Sequence, residues 1–594
     1  MTRVAETTST AEQSTETNAV TIRTKRYRRK WSPFGIATLV IAVVIVLLVV
    51  YPGGAMGARL ASAFTSHSLA NVFGASWFPG MIRDTVVVVG LSAIISVVIA
   101  AVLAWINERT DARFRFSGVL PLVPLFIPSI AVGIGWVVLG DPTVGFLNGI
   151  LKVILAPFHW SPTVDIYSYG GMIFLYVLCL VPYAYLPISA GFRNLDPSLE
   201  EASRTSGAGP WRTLRTVSLP AIAPALIAGF VLVLIVGLSL YSIPVVIEDR
   251  PQIDIISVRI INAIRASYPP AYDVAILLSA VLLVVLVIVW LIQKRINRGG
   301  RFALSGARSA SSAITRLGKG RWIFRLLIVI YGLLSTVLPL AALIVVSFQS
   351  YWHADVFVGP WGLLNYKQIL FSDPIAVTAV KNSLFLGIVG GAITVLVAAV
   401  LVLYARNKRD RVGRIADTVS KIPAAVPHAV LAVAFIFAFG GPPFYLGGTL
   451  LILGLAYFVT YLPYVSIAIE PSILAIHPSL EEASVMSGAG PGRTFRKIIL
   501  PMAIPGVFAA WALVFVRVIS DLEVSVLLGT GGTPVVGFVM LDVYDQGSVG
   551  IVATLALFMT IITAVVILIM LRLGQPRWRR SRPSKATRRV KPAR

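Results

Sequence analysis

Residues 199–220 read LEEASRTSGAGPWRTLRTVSLP, and residues 480–501 read LEEASVMSGAGPGRTFRKIILP. Of these 22 positions 15 are identical, at a constant offset of 281. The same offset pairs Tyr176 with Tyr457, Pro182 with Pro463, Tyr183 with Tyr464 and Pro197 with Pro478. Further upstream the offset becomes 299. There it pairs Pro124 and Pro128 with Pro423 and Pro427, and Asp111 with Asp410. The 18-residue difference falls near 140–168, which is longer in the first copy. The chain is therefore two homologous halves.

What surrounds the repeat is strongly apolar. Of 594 residues 57% are hydrophobic and only 13% charged, with a mean hydropathy of +0.84. Soluble domains carry about 25% charge, and a chain this long with half of that cannot cover itself with polar surface. A soluble enzyme and a disordered scaffold are excluded. The single cysteine, Cys179, rules out an internal disulfide and a cysteine-based zinc site. It lies in an apolar run and reads as a packed thiol.

Apolar stretches long enough to cross a bilayer of about 30 Å fall at 34–51, 82–106, 118–139, 169–192, 220–243 and 274–292. A second set falls at 326–347, 383–404, 418–439, 449–469, 501–520 and 550–571. We expect an all-α, polytopic membrane protein with about 12 transmembrane helices in two parallel six-helix repeats. The run at 34–51 reads as a retained span, with a cleaved signal peptide as the alternative. Even span counts per half make the repeat parallel rather than inverted.

The net charge of +25 is concentrated. Residues 23–30 hold six Lys/Arg, 294–325 hold nine and 572–594 hold ten, with no Asp or Glu among them. Together they supply the whole excess. Because they border apolar spans, they read as positive-inside signals and anionic-lipid contacts, not as a nucleic-acid surface. The short loops at 107–117 and 405–415 carry several Arg or Lys and fall on the same side. The loop at 248–273, with Glu248, Asp249, Asp254 and Asp273 beside Arg250, Arg259 and Arg265, falls opposite. Both termini are expected in the cytoplasm. The domains are a disordered basic tail at 1–30, a first half at 31–292 (core about 80–292) and a basic linker at 293–325. A second half at 326–572 (core about 380–571) and a basic tail at 573–594 follow.

The repeated segment is thus a cytoplasmic loop in each half, which core packing alone does not call for. Ser198 with Glu201, and Ser479 with Glu482, match the capping box that opens a helix. Gly207 and Gly488 end it. Pro210 and Pro491 suit the first turn of a second, basic helix, and Leu219-Pro220 and Leu500-Pro501 re-enter the membrane. The expected product is a short helix–turn–helix under the bilayer. Its duplication argues that each copy meets the same kind of partner.

These residues carry a family resemblance. The run Glu201-Ala202-Ser203, Gly207, Val217, Leu219-Pro220 resembles the signature loop of binding-protein-dependent ABC importer permeases of the type I fold. So does Glu482-Ala483-Ser484, Gly488, Ile498, Leu500-Pro501. The departures are Ser for a second Ala and Val217 for Ile. The resemblance implies that Glu200, Glu201, Ala202, Ser203, Gly207, Leu219 and Pro220 form one ATPase-coupling loop. Glu481, Glu482, Ala483, Ser484, Gly488, Leu500 and Pro501 would form the other. It further implies two copies of a cytoplasmic ABC ATPase, an extracytoplasmic substrate-binding protein and a bacterial cell membrane. The fused halves resemble the ferric-iron and thiamine importers. Stretches such as 242–247 and 527–534 are most similar to the ferric-iron branch. Polyamine, phosphonate and other small solutes remain open.

No Walker A motif occurs, since Gly318-Lys319-Gly320 lacks its spacing and its Ser/Thr. We therefore expect a permease and no enzyme, with no cofactor bound by this chain and ATP held on the partner. Arg517 is the seventeenth residue of a span starting at Pro501, about 24 Å across, with Asp521 four residues on and Glu523 following. It is either a functional intramembrane charge or a helix-end pair that snorkels to the interface. His67, His159, His353, His428 and His477 form no ligand motif in sequence. They read as scattered loop or packed residues, and no metal site is expected. A twelve-helix secondary transporter would also give parallel halves, but it leaves the paired loops unexplained.

Overall fold

A computed structural model describes residues 33–64, 66–159, 162–247, 253–299, 314–353, 361–406 and 411–573. The tail expected at 1–30, the middle of the linker at 300–313 and the tail from 574 onward lie outside the described residues. So do Glu248, Asp249, Arg250 and Asp410. Among the described residues the only pairing of β type is three isolated bridges, and everything regular is helical.

Among the described residues nine helices are long and apolar enough to cross a membrane, and three further bent pairs bring the number to as many as twelve when each pair is taken as one span. All twelve expected spans have a counterpart, but three are not straight rods. Leu120–Phe126 and Ser129–Gly140 meet at 103°, and Ile415–Ala425 and His428–Phe439 meet at 114°. Both bends sit on an X-Pro step. Ile127 before Pro128 has φ −106° and ψ 133°, and Val426 before Pro427 has φ −105° and ψ 128°. Proline disfavours the helical conformation in the residue before it, and here the same pair of prolines breaks the same span in each half. The third bend, 70° between Pro210–Ala221 and Ala223–Ser239, is not repeated, because its counterpart Gly492–Ile519 runs as one span.

The first helix is longer than its apolar run promised, extending over Pro33–Ala63. It lies against the opposite half. Its Ala42 and Ile45 are buried in the second half's core, and the Tyr51 ring packs tilted against Phe439, with centroids 5.5 Å apart. The first helical segment of the second half returns the exchange. Tyr331 Oη donates to the Leu178 carbonyl at 3.0 Å, and Trp136 Nε1 donates to the Leu334 carbonyl at 3.0 Å. Gly135 lets this crossing close, since a Cβ there would lie 2.6 Å from the Pro339 carbonyl oxygen. The halves are thus interlocked.

Candidate functional site

Both repeated loops fold as helix, turn, helix. The first helix is Pro197–Thr205 in one half and Pro478–Met486 in the other. The caps differ from expectation. In place of Ser198, Asp196 is the cap and accepts the Ser198 N–H at 3.0 Å; in place of Ser479, His477 is the cap and its Nδ1 accepts the Ser479 N–H at 3.3 Å. Proline fits the first helical position, so Pro197 and Pro478 pull each helix start two residues upstream of the expected one. Gly207 and Gly488 then take left-handed φ values of +84° and +76°. Ala208 N–H bonds the Ser203 carbonyl and Ala489 N–H the Ser484 carbonyl, closing a Schellman turn in each half.

The two helices of each loop are pinned by a repeated side-chain bond. Ser203 Oγ meets Thr213 Oγ1 at 3.0 Å, and Ser484 Oγ meets Thr494 Oγ1 at 2.8 Å. Pro220 and Pro501 lack the N–H that an α-helix needs at the exit. The chain widens there into π turns at Leu214–Ser218 and Phe495–Ile499.

Glu201, Ala202, Gly207, Pro220, Glu482, Ala483, Gly488 and Pro501 are exposed, and Ser203, Leu219, Glu481 and Leu500 are half-buried. Apolar Leu199, Trp211, Leu480, Val485 and Met486 are exposed beside them. Glu200 behaves differently from its neighbours. It is 2% exposed, accepts the Ser218 hydroxyl at 2.6 Å and faces the buried Arg109 at 3.6 Å. Arg109 in turn donates to the Phe192 and Leu195 carbonyls, both at 2.6 Å. One ion pair therefore ties the loop to the ends of two long helices, Trp77–Arg109 and Tyr169–Asn194. The linker's last residues join the same spot, with Thr315 N–H on the Arg109 carbonyl at 2.8 Å and the Arg204 guanidinium on Thr315 Oγ1.

A second cluster lies inside the bundle, where the halves meet. The helix Leu500–Ile519 ends before Asp521, and a new one, Glu523–Leu528, begins. Arg517 and Asp521 therefore do not form the expected pair on one helix face. Arg517 turns to the other half and donates to Tyr183 Oη at 2.8 Å, in place of snorkelling. Asp521 Oδ1 caps the new helix, accepting Val524 N–H at 2.9 Å and Ser525 N–H at 3.1 Å, while Tyr461 donates to Oδ2. Glu523 Oε1 accepts the Tyr241 N–H from the first half at 3.3 Å, and Oε2 lies 3.1 Å from His428 Nδ1.

His428 was not singled out by its sequence surroundings. It opens the twelve-residue helix His428–Phe439 just after the Pro427 break, about 18 Å from that helix's far end. That is a little over half of an apolar core of about 30 Å. Its position in the repeat held the signal. At the offset of 299 it replaces Ser129, and at the offset of 281 Glu523 replaces Ser242. Ser129 and Ser242 bond each other at 2.6 Å. The pseudo-symmetric sites are thus a neutral hydroxyl pair in one half and an imidazole–carboxylate pair in the other.

The sequence matches the family model described as binding-protein-dependent transport system inner membrane component twice, over residues 96–299 and 387–580. It is 24% identical over 567 residues to the ferric transport system permease protein FbpB of Actinobacillus pleuropneumoniae, covering 93% of this chain and 80% of that one. With the Fe(3+)-transport system permease protein FbpB 2 of Haemophilus influenzae it shares 25% over 427 residues, or 70% of this chain and 75% of the relative. A solved bacterial ABC transporter involved in the import of alginate is 17% identical, with a TM-score of 0.35 over 44% of this chain and 98% of that chain.

Proposed function

The chain belongs to the family of binding-protein-dependent transport system inner membrane components and is a multi-pass ABC importer permease; we propose that the cargo it carries is ferric iron. Two copies of a separate ATPase dock on the two loops, one on each, and hold the ATP. The permease itself binds no cofactor and catalyses no reaction. It lies in the bacterial cell membrane with both termini and the linker in the cytoplasm, where the basic clusters meet anionic lipid. A soluble binding protein delivers the cargo on the opposite face.

One observation carries the coupling assignment: both halves present the same Schellman-turned, Ser–Thr-pinned loop with an exposed apolar rim. Glu201, Ala202 and Gly207, with Glu482, Ala483 and Gly488, line what each ATPase grips. When the ATPases close, the push on the first loop passes through Glu200 and Arg109 into Trp77–Arg109. The interlocked halves then rock between two openings. The cargo assignment is supported by relatives named for ferric transport that cover both halves.

The test is uptake of radioactive ferric iron by cells with and without the chain, before and after ATP depletion. Loss on deletion and on depletion is expected. Unchanged uptake on deletion removes ferric iron as cargo. Transport that persists with no ATPase partner removes the coupling assignment.

A further inference from the structure

We infer that His428, Asp521 and Glu523 form a cation station inside the translocation path, where the permease itself holds the metal cargo between its two openings. The inference rests on the reading of the chain as a metal importer and adds a site to it.

The donor atoms are already gathered. One nitrogen and two carboxylate oxygens lie within 4.8 Å of one another. His428 Nδ1 is 3.1 Å from Glu523 Oε2 and 3.7 Å from Asp521 Oδ2. Metal–ligand bonds of about 2.1 Å set donors about 3.0 Å apart at right angles and about 3.4 Å apart at tetrahedral angles. Small rotations of the side chains would complete the set. Imidazole with carboxylates suits first-row transition-metal cations, iron among them.

Glu523 has one oxygen fixed by the protein and the other on the imidazole, while Asp521 has both oxygens held and its Oδ2 3.7 Å from the imidazole nitrogen. Asp521 Oδ1 is held by two backbone N–H groups, and Glu523 Oε1 by the Tyr241 N–H of the other half. Tyr461 orients Asp521 Oδ2. Such outer partners are what fix ligands around a metal. A purely structural lock between the halves needs Glu523 on Tyr241. It does not need a second carboxylate aimed at the same imidazole.

Access and charge agree. The side chains of His428 and Glu523 are 21% and 13% exposed while that of Asp521 is 1% exposed, so the set is open on one side and closed behind. With Arg517, the charged groups leave one net negative charge when His428 is neutral, which a cation offsets. Two helix breaks, at Pro427 and at Ser520–Leu522, meet here. Discontinuous helices near the membrane midplane are where transporters hold their cargo, and ionisable groups at that depth mark ion pathways. At the pseudo-symmetric place the first half has the Ser129–Ser242 pair, so the station has no counterpart there.

The test uses the full chain in lipid nanodiscs, dialysed to equilibrium against radioactive iron(III) citrate. The wild type is expected to retain about one iron per chain. His428→Gln, which can still donate to Glu523, and Glu523→Gln are expected to retain at least tenfold less. Pulsed electron paramagnetic resonance on the iron-loaded wild type should show imidazole nitrogen, a readout that needs no variant to fold. Retention no better than empty discs, retention unchanged in both variants, or iron bound without an imidazole signal overturns the station. Uptake by cells separates the two readings. Iron uptake by the wild type with no iron retained in discs removes the station and leaves the cargo. If the wild type takes up no iron, the cargo reading falls. The dialysis repeated with manganese(II) and cobalt(II) then decides the station, which stands on retention lost in both variants and falls without it.

Discussion

Replacing Glu200 by Gln should loosen the first repeated loop far more than its small size implies. Arg109 is 1% exposed, and its Nε and one terminal nitrogen have no hydrogen-bond partner. Glu200 is the acid that faces it, at 3.6 Å. Taking away one member of a buried pair strands the other charge, at a cost of about 3–5 kcal/mol. Arg109→Met strands Glu200 instead, with Arg204 at 4.0 Å as partial compensation, and also frees the Phe192 and Leu195 carbonyls. The double variant removes both charges and should lose less than the sum of the two, by about 0.5–3 kcal/mol. Hydrogen exchange at the amides of Pro197–Thr205 reads this local opening. A loss of about 3 kcal/mol means protection reduced by about a hundredfold. Less than a threefold change in Glu200→Gln, or a double variant as damaged as the sum, would refute the idea that this pair anchors the loop.

Gly207→Ala and Gly488→Ala put a side chain at positive φ with nothing within 4 Å of the new Cβ. The penalty should be backbone strain alone, about 1–2 kcal/mol at each turn, read as lost exchange protection in Pro197–Thr205 or Pro478–Met486 and reduced uptake. Gly135→Ala pushes a Cβ against the Pro339 backbone at the crossing of the halves. It should lower the melting temperature of the purified chain, by about 1–3 kcal/mol of overpacking, while Gly209→Ala, in open space, should not. Burial raises the Asp254 carboxyl above its usual range, with Asp84 adding to the rise and Arg259 opposing it. A raised carboxyl pKa means that folding is favoured below it and penalised as pH rises through it. Asp254→Asn should therefore stabilise the segment around it at neutral pH, and the gain in melting temperature should shrink as pH falls toward the ordinary carboxylate range.

The repeated helix–turn–helix loops are legible in the sequence because their information is local and appears twice. A proline, a glycine and a leucine–proline exit act within a few residues of themselves, and an offset of 281 exposes them without any knowledge of packing. The cap of the first loop is not legible there, since Ser198 and Asp196 offer nearly the same chemistry and only the placement of Pro197 at the first helical position decides between them. Glu200 looked like its exposed neighbour Glu201. Its burial depends on Arg109, 91 positions earlier, and no periodicity carries that distance.

By itself the sequence determined the apolar spans and the two parallel halves, because hydropathy is a property of short segments. Only the tertiary structure decided the exchange of first helices and the pairing of Arg517 with Tyr183 in place of Asp521. It also decided the meeting of His428 with Asp521 and Glu523. Those contacts join residues up to 334 positions apart, and a side chain's partner is set by which helices lie beside each other, which depends on how the whole bundle closes.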